Sequence, residues 1–120
     1  MLGVVLALIT CPSSIGIAAE PGGAADARIA NAWQVLRTVD CARCHGKDYT
    51  GLSAPSIVQY AATQPRAMFD QIVLEGNPAR GMPGYRSNAY VADNIDAIYE
   101  YFAARASGKI GADYRPPASN

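Results

Sequence analysis

The stretch Val39-Asp40-Cys41-Ala42-Arg43-Cys44-His45-Gly46 decides how this 120-residue chain is read. Two thiols stand three positions apart, and an imidazole follows the second directly. His45 is the single histidine of the sequence. A C-x-x-C pair alone is shared by redox dithiols, zinc knuckles and plain disulfide loops. A structural zinc site takes four Cys or His ligands, and besides these three side chains the sequence offers only Cys11. A thioredoxin-like dithiol follows a strand and opens a helix, and no strand pattern flanks Cys41. A structural disulfide between Cys41 and Cys44 is the remaining alternative.

With His45 added, C-x-x-C-H is the signature of covalent haem attachment. Two thioether bonds, from Cys41 and Cys44, would fix the porphyrin's vinyl edge to the chain. His45 would then lie beside the iron and bind it through a ring nitrogen. One haem c is therefore the expected cofactor, with iron as its metal.

Outward from the motif the pattern is helical. Ile29, Ala32, Trp33, Leu36 and Val39 recur at spacings of three and four, which predicts a helix from about Ala27 up to the motif. Glu20–Asp26, rich in Gly and Ala, reads as a flexible leader. Gly46 breaks the helix, and residues 46–55 carry loop chemistry. A short helix is expected over Ser56–Ala62, with Ser56 as its cap. Thr63-Gln64-Pro65 opens a second over 65–75, whose apolar face holds Met68, Phe69, Ile72 and Val73. Residues 76–89 are Gly-, Pro- and Asn-rich and read as irregular. A last helix, Val91–Ala104, presents Val91, Ile95, Ile98, Tyr99 and Phe102. The tail Asp113–Asn120 reads as extended and surface-bound. The fold class is all-α: about four short helices and long loops wrapped around one haem.

Half the residues are hydrophobic, and ten Lys and Arg balance ten Asp and Glu. Without a basic run or stripe, a nucleic-acid partner is excluded. The start, Met1-Leu-Gly-Val-Val-Leu-Ala-Leu-Ile-Thr-Cys-Pro, reads as a secretory signal peptide cleaved near Ala18-Ala19, although it lacks a Lys or Arg before the apolar run. The run is too short to span a bilayer as a helix. Leu8-Ile9-Thr10-Cys11 faintly resembles a lipoprotein box, with Thr where a small Gly, Ala or Ser is expected. Residues 1–19 as signal peptide and 20–120 as a single domain, exported to the periplasm and monomeric, is the organisation expected.

The iron's other axial position needs a donor. Met82, in Arg80-Gly81-Met82-Pro83-Gly84-Tyr85, sits in a loop where Gly81 permits close approach and Pro83 disfavours helix. It is the expected second iron ligand, the alternative being an ordinary apolar loop residue. Met68, on a helix face, is expected in the core. Tyr49, Tyr60 and Tyr85 are candidates to bond a haem propionate, or simply to pack. Arg66 and Arg80 are propionate candidates by charge. Arg43, Arg80 and Arg86 are candidates to steer an acidic partner, or ordinary solvated arginines.

In the order N-terminal helix, C-x-x-C-H-G, a Gly-x-x-x-Pro, a Gly-Met-Pro loop and an amphipathic C-terminal helix, the chain resembles the class I monohaem cytochromes c of bacteria over about residues 28–107. The resemblance implies that the Pro55 carbonyl orients His45 and raises its basicity. It also implies that the first and last helices cross at the haem edge, Trp33 or Leu36 meeting Ile98, Tyr99 or Phe102. Where many members carry an aromatic four residues before the first Cys, this chain has Arg37, so the crossing must use other residues. Gly-Met-Pro-Gly-Tyr, Ile95-Asp-Ala-Ile-Tyr-Glu-Tyr-Phe-Ala-Ala-Arg-Ala-Ser-Gly-Lys-Ile-Gly111 and the Pro-Pro tail look like the cytochromes that accept electrons from quinoprotein (pyrroloquinoline quinone) alcohol dehydrogenases. The function implied is a soluble one-electron carrier and not an enzyme, with a quinoprotein dehydrogenase as donor and a terminal oxidase or another cytochrome as acceptor. The alternatives are a haem enzyme or gas sensor with an open axial site, and a cytochrome subunit bound permanently in a larger redox complex.

Overall fold

The computed structural model describes residues 21–118 together with Gly16. The expectations for signal cleavage and for Cys11 fall outside these residues. Among these residues six α-helices follow one another: α1 (Pro21–Val39), α2 (Ala42–His45), α3 (Ile57–Thr63), α4 (Arg66–Glu75), α5 (Ala89–Ala92) and α6 (Ile95–Ser107), with a 3-10 turn at Pro78–Arg80. The fold is all-α; α2 and α5, single turns, are what the sequence pattern left as loop or helix end. Among the described residues no helix is long and apolar enough to cross a membrane.

α1 begins at Pro21, so residues 21–26 are helical and not the flexible leader expected. Proline suits a first helical turn, where its missing N–H leaves nothing unbonded. Ala24, Ala25 and Ala27 are strong helix formers that outweigh Gly22 and Gly23. Asp26, one turn in, faces Lys109 Nζ at 3.3 Å.

The core is the crossing of α1 and α6. α1 buries Ile29, Ala32, Val35 and Leu36; α6 buries Ala97, Ile98, Tyr101, Phe102 and Ala104. Each large apolar side chain buried this way contributes roughly 1.5–3 kcal/mol. Leu36, from the expected set, meets the floor formed by Ile98 and Phe102. Trp33 lies at the margin, with the Arg37 guanidinium 4.5 Å from its ring centroid. The buried stripe of α6 includes Tyr101 where Tyr99 was expected; Tyr99 is only half-buried. Polar ties flank the crossing: Arg28 Nε donates to Glu100 at 2.8 Å, and Asn31 Nδ2 to Asn94 Oδ1 at 2.6 Å.

The expected single helix over Val91–Ala104 is split. Asn94 donates its side-chain amide to the Tyr90 carbonyl at 3.0 Å and accepts from Asn31. A short amide that bonds locally competes with the helical ladder, so α5 stops and α6 starts afresh. At the other end Gly108 takes the left-handed conformation (φ 78°), and Ile110 N–H returns to the Ala104 carbonyl, a common helix stop. The chain then folds back: Tyr114 meets Tyr101 edge-on at 6.2 Å, and Arg115 lies over Trp33 at 5.9 Å.

Candidate functional site

Asp40, left-handed at φ 57°, ends α1 and swings the chain into the single turn of α2. That turn is closed by His45 N–H to the Cys41 carbonyl at 3.1 Å. Cys41 is half-buried and Cys44 exposed. Burial pushes the Cys41 thiol up to about 11.

The loop after His45 is tied back to the motif. Gly51 N–H donates to the His45 carbonyl at 2.8 Å and Ala54 N–H to the Cys44 carbonyl at 2.9 Å. Gly46 is required there: its φ is +87°, and a Cβ would stand 2.8 Å from the Gly51 carbonyl oxygen. The far side of the loop hangs from Tyr49, whose carbonyl accepts from Ile57 N–H at 3.0 Å and from Ser56 Oγ at 3.3 Å. This fold of the loop brings Pro55 over the imidazole, with His45 Nδ1 and the Pro55 carbonyl oxygen 2.7 Å apart. A carbonyl can only accept, so Nδ1 carries the proton and donates it. Nε2 keeps its lone pair for a metal, and the bond fixes the ring's orientation.

Nε2 belongs to a cleft of two lobes. The larger, about 780 Å³, and the smaller, about 240 Å³, share His45, Met82, Ile57, Phe69 and Val73. The larger volume lies within the roughly 300–1,000 Å³ usual for cofactor sites. Cys41 and Cys44 line the smaller lobe only.

Met82 is held by backbone. Asn77 N–H donates to the Met82 carbonyl at 2.9 Å, and Met82 N–H to the Asn77 carbonyl at 3.1 Å. Beyond it, Tyr85 and Arg86 N–H donate to the Val73 and Leu74 carbonyls at the end of α4, at 3.1 and 3.0 Å. The two segments approach without side chains between them: a Cβ on Gly76 would sit 2.5 Å from Gly84 N, and one on Gly84 2.7 Å from the Glu75 carbonyl oxygen. Asn77 carries no sequence signal for this role, since a two-residue bridge between loop segments has no periodicity.

The remaining candidates separate. Met68 is 45% exposed and lines neither lobe, which corrects its expected place in the core. Phe69, Ile72 and Val73 form the inward stripe of α4, and position 68 falls on its shoulder. Tyr60 lines the larger lobe and Tyr85 the smaller, while Tyr49 is outside the cleft, edge-on to Phe102 at 5.2 Å. Arg66 is also outside: it pairs with Asp70 at 2.8 Å and with Asp96, and stacks on Tyr99 at 4.6 Å. Arg43 pairs with Asp40 and Arg86 with Glu75. Arg80 lines both lobes. Unforeseen is Arg105, whose Nη2 donates to the Asp48 carbonyl at 2.8 Å, pinning the loop beside Tyr49.

Burial pushes the Tyr49 hydroxyl from 10.0 up to about 12. Unfolding therefore releases a proton in that window, so this contribution to stability is whole below pH 10 and falls as pH rises from about 10 to about 12. Tyr49→Phe should flatten part of the alkaline decline in denaturant-unfolding free energy. An identical decline in the variant would contradict the assignment.

A thiol pair, an imidazole with a free Nε2 and a thioether converge on one apolar cleft, a donor set that fits a covalently held porphyrin iron. Residues 27–102 match the family described as "Cytochrome C oxidase, cbb3-type, subunit III". The chain is 30% identical over 101 residues to cytochrome c-555 of Methylococcus capsulatus, covering 82% of this chain and 80% of that protein. Its fold is similar to the crystal structure of the c-type cytochrome XoxG from Methylobacterium extorquens AM1, with a TM-score of 0.66 and 25% identity. That match covers 74% of this chain and 56% of the XoxG chain, so the present chain spans little more than half of it. The chain belongs to this family of electron-carrying c-type cytochromes, as a class I monohaem cytochrome c. Its cofactor is one covalently bound haem c with its iron.

Proposed function

We propose that the chain is a periplasmic one-electron carrier whose haem is attached at Cys41 and Cys44 and whose iron takes His45 and Met82 as axial ligands. The observation that carries this is the cleft itself: His45, with Nδ1 committed to Pro55, and Met82, on a backbone-tied loop, border the same space. The haem, when bound, supplies a one-electron iron couple. The Pro55 carbonyl holds the His45 proton on Nδ1 and strengthens Nε2 as a donor. The Asn77 bridge fixes Met82, and thioether ligation favours a high potential. Phe69, Ile72, Val73 and Ile57 exclude water from this space. His45 and Met82 would together hold the iron from this chain's own side chains and leave no position on it for a substrate, which favours electron transfer over an open-site enzyme or gas sensor.

The Gly81–Tyr85 and Ile95–Gly111 phrases favour a quinoprotein alcohol dehydrogenase as donor. A permanently bound subunit is the second reading, favoured by the oxidase subunit in the family's description. The test is spectral and kinetic. The oxidised protein should show the weak far-red band of an iron–methionine bond, and the reduced protein should resist carbon monoxide. Absence of the band with ready carbon monoxide binding would sink the carrier reading. Stopped-flow mixing with a reduced quinoprotein alcohol dehydrogenase should reduce the haem; no reduction at any salt concentration removes that donor. Stable co-purification with oxidase subunits would favour the second reading.

A further inference from the structure

We propose that Arg80 is the cleft's counter-charge for a haem carboxylate, an inference that rests on the haem reading of the cleft. Among the described residues the arginines fall into two groups. Arg28, Arg43, Arg66 and Arg86 each hold a carboxylate of the chain itself, and Arg37, Arg105 and Arg115 stack on Trp33 or bond backbone carbonyls. Arg80 has no ion pair or side-chain hydrogen bond within the described residues, yet it borders both lobes. Its backbone is fixed, with N–H to the Asn77 carbonyl at 3.0 Å and left-handed Gly81 (φ 83°) immediately after.

The charge layout gives the direction. Among the described residues the larger lobe contains no carboxylate, and Arg80 is its one arginine. The smaller lobe contains both cysteines and Asp40, the latter already paired with Arg43. A haem attached at Cys41 and Cys44, which line the smaller lobe only, would carry its two carboxylates on the porphyrin edge away from those bonds, and the larger lobe would receive them. A carboxylate drawn into an apolar cleft without a partner is costly. A guanidinium offers a planar two-donor fork matched to a carboxylate, and Arg remains charged at every working pH. Arg66, the other propionate candidate by charge, is spent on Asp70 and Asp96 on the far side of α4.

The experiment compares holoprotein carrying covalent haem as wild type, Arg80→Gln and Arg80→Lys. Arg80 is exposed and its side chain makes no hydrogen bond or ion pair within the described residues, so the variants should fold. Resonance Raman should show the propionate bending mode shifted in Arg80→Gln. Loss of a nearby positive charge disfavours the electron-rich reduced form, so the equilibrium constant for reduction should fall on the order of tenfold, which for one electron is ~59 mV. Arg80→Lys should restore most of the potential but not the propionate mode, because a point charge replaces a fork. An unchanged propionate mode and potential in Arg80→Gln would overturn the proposal. So would a variant altered only in its salt-dependent rate with a redox partner, which would make Arg80 a steering residue. The far-red band, read on the same samples, separates failure here from failure of the axial assignment.

Discussion

Met82→Ala is expected to abolish the far-red band, let carbon monoxide bind the reduced protein, and lower the midpoint potential by a sizeable fraction of the ~0.8 V that axial ligation spans. Met82 brings the bridge's thioether to the cleft, and Ala offers no donor in its place. The protein should remain folded, since Met82 is half-buried in a loop and outside the α1–α6 core. Met68→Ala is the matched comparison. Met68 is 45% exposed and lines neither lobe, so its loss should leave band and potential in place. Loss of the band in Met68→Ala, or its survival in Met82→Ala, would reverse the ligand assignment.

Gly76→Ala should have the largest effect on stability. Gly76 sits at φ +72°, where a Cβ costs about 1–2 kcal/mol. That Cβ would also stand 2.5 Å from Pro83 C and Gly84 N and 2.6 Å from the Met82 carbonyl oxygen, all backbone. No side chain can rotate away, so the loop itself must move, adding about 1–3 kcal/mol of overpacking. Thermal unfolding of the holoprotein should register a destabilisation of roughly 2–5 kcal/mol, among the larger single-substitution effects. The far-red band should weaken at the same time, because the displaced segment carries Met82. A variant with wild-type stability and full band intensity would contradict the joint between α4 and the loop.

The helices with a clean 3.6-residue period are legible in the sequence. Ile29, Ala32 and Leu36 on α1, and Phe69, Ile72 and Val73 on α4, announce their inward faces by spacing alone. The break at Asp93-Asn94 was not legible, because it depends on Asn94 finding Tyr90 and Asn31, and Asn31 comes from another helix. The left-handed turn at Tyr49 was equally hidden, since a bulky aromatic carries no signal for positive φ. The residues proposed to hold the haem, Cys41, Cys44, His45 and Met82, could be named from local chemistry, and Pro55 only from resemblance; the fold adds that they border one cleft. The arginines could not be sorted from sequence. Arg66 meets Asp96 across 30 positions, and only the assembled fold shows that it is committed while Arg80 pairs with no carboxylate among the described residues.

The fastening between Arg28 and Glu100 joins residues 72 positions apart, so the two ends of the domain are clasped and everything between them is a closed ring of chain. Loop-closure entropy grows only slowly, about 0.6 kcal/mol per doubling of length, yet all of it must be met before the α1–α6 contacts repay it. Leu36, Ile98 and Phe102, buried in the same α1–α6 crossing, are also the floor of the smaller lobe beside Cys41 and Cys44. The smaller lobe therefore has no floor until α1 and α6 meet, and the amide protons of that floor should exchange with those of the core.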